Sequence, residues 1–147
     1  MAGESPARVG QTSSVKFVKA GVAEAQLPAG GSGEAIVRVN VQSGYHVNAN
    51  PPTYPYLKAT ELTLQPVDGI TVGFITYPTA TNKKFAFEEK PLAVYEGEVP
   101  IKVTFKAAAA AAKGSHSIPA KLNVQACDDQ VCYPPGVLDL SIPVTIK

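Results

Sequence analysis

The sequence predicts an all-β domain, an immunoglobulin-like sandwich of two sheets, and three observations predict it. Apolar residues recur at every second position through the second half of the chain; turn-forming Gly, Pro and Asn clusters separate the short alternating runs; and no stretch alternates strand with helix. At 147 residues the chain has the size of one domain with its own core. Its 45% hydrophobic and 17% charged residues, without a block of like charge, are those of a folded protein.

Taken in order, residues 1–12 lack periodicity and are expected to form a flexible tail, which leaves 13–147 as the domain. Val15–Val18, Val37–Val41, Leu57–Leu64 and Ile70–Tyr77 are short strand candidates. Turn chemistry divides them at Gly30-Gly31-Ser32-Gly33, Ser43-Gly44, Asn50-Pro51-Pro52, Asp68-Gly69 and Pro78-Thr79. The second half reads more cleanly. Val99, Ile101, Val103 and Phe105 alternate with polar neighbours or Pro, as do Ile118, Ala120, Leu122, Val124 and Ala126. Leu138, Leu140, Ile142, Val144 and Ile146 repeat the pattern, with Pro143 marking an edge strand or a bulge. Between them, Lys106–Lys113 is Ala-rich but too short to hold a helix unaided, so it is either one helical turn or an irregular connection.

Charge and hydropathy remove several function classes. The net charge is +1 and Lys83-Lys84 is the only basic doublet, so no stripe exists to neutralise nucleic-acid phosphates. The longest uncharged apolar run, Ala107–Ala112, falls far short of the roughly 20 residues of a bilayer span, and no membrane insertion is expected. The N-terminal residues show no apolar stretch of signal-peptide kind, so that end leaves export open.

Cys127 and Cys132 carry the chemistry. If the alternation of the preceding strand continues, Cys127 follows Lys121, Asn123 and Gln125 onto the outward face. Four intervening residues suit a hairpin-like loop that brings the two Cα atoms within the roughly 4.4–6.8 Å of a disulfide. As a staple the bond would give only about 2 kcal/mol, because it closes so short a loop. At the tip of a strand and flanked by Pro134-Pro135, it is better placed for attack by a foreign thiolate. Asp128 and Asp129 beside Cys127 should raise a thiol's pKa. His46 and His116 lie far from the cysteines with no ligand-like spacing, so neither a metal nor any other cofactor is expected; His46 could meet Cys127 in space, but nothing in the sequence requires it.

Three segments resemble recurring segments of one family: Gly44-Tyr45-His46-Val47-Asn48-Ala49-Asn50-Pro51-Pro52, Tyr95-Glu96-Gly97-Glu98-Val99, and Ala126-Cys127-Asp128-Asp129-Gln130-Val131-Cys132-Tyr133-Pro134-Pro135. The chain resembles, over roughly residues 15–147, the N-terminal domain of the bacterial thiol:disulfide interchange protein DsbD. The resemblance implies an immunoglobulin-like periplasmic domain, in line with a periplasmic or secreted location. In that role Cys127 and Cys132 take electrons from a thioredoxin-like donor and pass them to oxidised periplasmic proteins, with the domain acting as a monomer. It also implies an aromatic cap over the disulfide, here within Lys83–Lys90, with Phe87 as first choice for the shielding ring and Phe85 as second. Tyr45, Tyr133 and Asp128 are expected to line the site. The alternative is a structural or protein-binding immunoglobulin-like module whose disulfide merely pins a hairpin, with Phe85 and Phe87 as ordinary strand aromatics.

Overall fold

Strands account for nearly all regular structure in the computed structural model, which describes residues 13–147 apart from Pro66. The expected tail over residues 1–12 lies outside the described residues. In chain order the strands are β1 (Val18–Ala23), β2 (Ala25–Leu27), β3 (Ser32–Val41), β4 (His46–Asn48), β5 (Glu61–Leu64), β6 (Ile70–Thr76), β7 (Thr81–Lys83), β8 (Leu92–Tyr95), β9 (Glu98–Ala107), β10 (Gly114–Val124), β11 (Ala126–Cys127) and β12 (Gly136–Ile146). Two four-stranded sheets, ordered β1-β3-β9-β6 and β2-β12-β10-β5, form the sandwich, and a third small sheet, β11-β4-β8-β7, sits beside them. Neighbours are antiparallel except β12 and β2, which run parallel.

Alternation places the core. Val99, Ile101, Val103 and Phe105 of β9 are buried against Ile118, Leu122, Ile142, Val144 and Ile146 of the opposite sheet, within one continuous cluster. Each such side chain contributes about 1.5–3 kcal/mol on leaving water. Pro143 has Ser117 as its partner in β10, while the β2 ladder covers only Val144–Ile146; the proline therefore lies where β12 has no hydrogen-bonded neighbour on its other side.

Local competition moves some boundaries. Val15–Phe17 is not strand but part of a 3-10 turn, Ser14–Phe17, because the Ser13 side chain accepts from Val15 N–H and caps it. Gly136 opposite permits the turn's close approach, since a Cβ there would lie 2.6 Å from both Ser13 Oγ and Val15 Cγ1. The Leu57–Leu64 candidate shrinks to Glu61–Leu64, with a turn closed by Leu57 N–H on Tyr54 O at 3.1 Å. Lys106–Lys113 forms the irregular connection. Ala107 completes β9, and Ala108 then bonds through both its backbone groups to the Gly30 and Gly69 turns, leaving no helical ladder.

Candidate functional site

Chain geometry at the end of β10 decides the site. Gln125 breaks the strand, and Ala126-Cys127 leave the sandwich sheet to pair with β4, Ala126 opposite Val47 and Cys127 opposite His46. The small sheet therefore has two unlike faces. Ala126, Val47 and Tyr95 point into the sandwich core, whereas Cys127 and His46 share the other face with Val94. Cys127 faces away from the core, as the alternation implied, but it is not exposed. It is 1% accessible; on this face the segment between β7 and β8 lays Phe85 against Leu92, Val94 and the His46 ring.

Two aromatic layers cover this face. Phe85 is buried and stacks on the His46 ring, centroids 4.0 Å apart at 21°. Phe87 stacks on Phe85 at 5.4 Å and remains 38% exposed. Lys84 fixes the segment by donating to Phe85 O at 2.9 Å and to Glu88 O. Lys83 donates to Glu96 at 2.8 Å and places its ammonium 5.7 Å from the Phe85 ring centre.

Beyond Cys127 the chain turns through Asp128–Val131 and returns, forming an isolated bridge between Cys127 and Cys132. The sulfurs are bonded at 2.03 Å, with the Cα atoms 3.9 Å apart, closer than the sequence-based range. Asp128 organises the loop. Its Oδ1 accepts from Gln130 N–H and Val131 N–H, both at 2.8 Å, its own N–H donates to Val131 O, and its Oδ2 accepts from Tyr133 O–H at 2.7 Å. Val131 N–H, then the Tyr133 hydroxyl and Gln130 N–H, hold the Asp128 carboxyl below its ordinary pKa, so it stays ionised. The same bond pushes the Tyr133 phenol up to about 12. In contrast to Cys127, Cys132 is exposed, and Val131 beside it is 51% exposed.

Tyr45 and Tyr133 meet at the base of the loop. Tyr45 stacks on Phe17 at 4.0 Å, and Tyr133 lies 4.9 Å from Phe17 and 6.0 Å from Tyr45. Ser14 ties this base together, donating to Pro134 O at 2.7 Å and accepting from Ala126 N–H at 2.8 Å. Phe17 and Ser14 carry no motif that would have marked them. His46 lay within a segment of the resemblance, but its place opposite Cys127 depends on a pairing 81 residues apart in sequence. Among the described residues no group of three or more His, Cys, Asp or Glu is placed to hold a metal ion.

The chain matches the family described as thiol:disulfide interchange protein DsbD, N-terminal, over residues 14–141. It belongs to that family. Together with the Cys127–Cys132 bond, this makes it a thiol–disulfide exchange domain with a redox-active disulfide. The fold is similar to the N-terminal domain of DsbD from Neisseria meningitidis in the reduced form, 20% identical with a TM-score of 0.57 over 94% of each chain. It is also similar to the N-terminal periplasmic domain of ScsB from Proteus mirabilis, 15% identical with a TM-score of 0.59, covering 88% of this chain and 46% of that one. A type I cohesin from Pseudobacteroides cellulosolvens shares the fold at 11% identity and a TM-score of 0.51, over 89% of this chain and 92% of that one. No curated protein matches the sequence. Among the described residues no helix is long and apolar enough to cross a membrane.

Proposed function

We propose that the domain works in the periplasm, taking electrons from a thioredoxin-like donor and passing them to disulfide-bearing proteins, and that Cys132 is the sulfur its partners attack. The observation that carries this reading is the asymmetry of one bond: Cys127 is 1% accessible, on the sheet face where Phe85 stacks on the neighbouring His46, and Cys132 is exposed. Thiol–disulfide exchange needs an in-line approach to the attacked sulfur, so access decides which of the two reacts.

Reduction then has a defined order. A partner thiolate attacks Cys132 Sγ, the bond to Cys127 Sγ breaks, and Cys127 leaves with the electron pair. The partner's second thiolate attacks its own sulfur in the mixed disulfide, leaving the partner oxidised and this domain with two thiols. Passing the electrons on reverses these roles. Phe85 and Phe87 shield the bond from small thiols between encounters, Tyr45 and Tyr133 brace the loop, and Asp128 holds its turn through Gln130, Val131 and Tyr133. The loop's own hydrogen bonds through Asp128 also favour exchange over stapling, since they hold the hairpin without help from the sulfurs.

Trapping checks the order. With a reduced thioredoxin-like protein lacking its resolving cysteine, the mixed disulfide caught by rapid acid quenching, before Cys127 can attack it, is expected to map by peptide analysis to Cys132. A crosslink placed on Cys127 would overturn the assignment.

A further inference from the structure

His46 is a buried titratable group to which the exchange cycle above gives no part. It is 1% accessible, and its Nε2 is a buried side-chain nitrogen with no hydrogen-bond partner. A buried polar atom left unpaired is destabilising, and its persistence calls for a second state in which it is paired. The ladder supplies the candidate. Cys127 stands directly opposite His46 on the same face of the small sheet, a position that puts the two Cβ atoms about 4.5–5.5 Å apart. Phe85 covers the flat face of the imidazole, which leaves the ring edge, where both nitrogens lie, as its route to a hydrogen-bond partner. In the disulfide form Cys127 has no proton to offer; reduction gives it one.

We propose that His46 is the proton acceptor and donor of the Cys127 sulfur. This rests on Cys132 being the attacked sulfur. When the reduced domain has passed Cys132 into a mixed disulfide with an oxidised protein, Cys127 must attack Cys132 Sγ to release that protein. The Cys127 S–H proton moves to His46 Nε2, the Cys127 sulfur forms its bond to Cys132 Sγ, and the released protein's sulfur leaves with the electron pair. The imidazolium then returns its proton to the departing thiolate or to water. In the opposite direction the attacking partner thiol gives up its proton to the same nitrogen, directly or through water, and the Cys127 thiolate expelled by attack on Cys132 takes that proton from it. A buried thiol would otherwise resist ionising, because burial disfavours the charged form.

The surroundings suit a base. Burial pushes the imidazole below its ordinary pKa; Glu96, Asp128 and Asp129 act against this and Lys83 with it. The ring is therefore neutral and ready to accept a proton at neutral pH.

Reaction of the reduced domain with excess 5,5′-dithiobis(2-nitrobenzoate) separates the two readings. The first thionitrobenzoate release reports attack by Cys132 and depends on reagent concentration; the second reports closure by Cys127 and does not. In His46→Phe, which keeps an aromatic ring against Phe85, the second phase is expected to slow about 100-fold relative to the first at pH 7. Its rate should then rise about tenfold per pH unit, where the wild type is flat above the imidazole's pKa. His46→Gln, polar but unable to take a proton, should behave like His46→Phe. A closure rate and pH profile unchanged in both folded variants would overturn the role of His46. A first phase that survives Cys132→Ser and vanishes in Cys127→Ser would overturn instead the assignment of Cys132 on which it rests.

Discussion

The sandwich and the small sheet beside it are built to different standards. The sandwich has four strands of ten or eleven residues, β3, β9, β10 and β12, and a continuous cluster of buried side chains. The small sheet has strands of two to four residues, and the cluster on its Cys127 face contains three buried apolar residues, Phe85, Leu92 and Val94. Local stability follows buried apolar contact, so the second region belongs to the easily opened end of the molecule and the first sets the global stability. The contrast teaches that the buried sulfur of the bond lies on a lightly built face fixed to a rigid frame: Ala126, Val47 and Tyr95 anchor the small sheet in the main core, while the opposite face holds Cys127.

The comparison can be broken first at its rigid side. Phe105 is among the largest fully buried side chains of the sandwich, and Phe105→Ala is expected to lower unfolding free energy by about 3–5 kcal/mol, read from the denaturant midpoint. Removal of both sulfurs in Cys127→Ser/Cys132→Ser should cost about 2 kcal/mol, with the hairpin intact by NMR because Asp128 still holds it. Loss of the fold in that variant would make the bond a staple. Phe85→Ala should leave the denaturant midpoint closer to wild type than Phe105→Ala does. Its effect belongs in access: alkylation of Cys127 in the reduced domain should quicken about tenfold, equivalent to 1.4 kcal/mol less opening free energy. If Phe85→Ala instead lowered global stability as much as Phe105→Ala, the two regions would be one cooperative unit.

The same division marks what the sequence reveals. The long strands were legible where one face stays dry, so Val99 to Phe105 of β9 and Ile118 to Val124 of β10 show the alternation directly. The cysteine loop was legible from its spacing and its neighbours. The accessibility of Cys127 was not, because alternation gives a side chain's direction and says nothing of what lies above it. Here the face that Cys127 shares with His46 also carries Phe85, stacked on that ring from more than 40 residues upstream. His46 escaped for a similar reason, since its partner is set by the β4–β11 register, a long-range pairing between strands of three and two residues. Phe17 and Ser14 sit in a turn whose capping outweighed the strand propensity of Val15 and Phe17.

The smallest expected effect probes the loop alone. Asp128 has a folded pKa below its ordinary value of 3.8, so its contribution to stability is present above that pH and lost as pH falls through the lower folded value. Tyr133→Phe removes one of the three donors and leaves Val131 N–H, the largest cause, in place. The Asp128 carboxyl titration, followed by NMR, should therefore move up only part of the way toward 3.8. At the alkaline end the sign reverses. The Tyr133 phenol is raised from 10.0 to about 12, so its contribution is whole below pH 10 and is lost as pH climbs toward 12. Tyr133→Phe should remove that late step from the tyrosinate absorbance titration and leave the sandwich's denaturant midpoint nearly unmoved. A carboxyl titration that does not shift would mean that the backbone amides alone fix Asp128, and that the hydroxyl merely follows the loop.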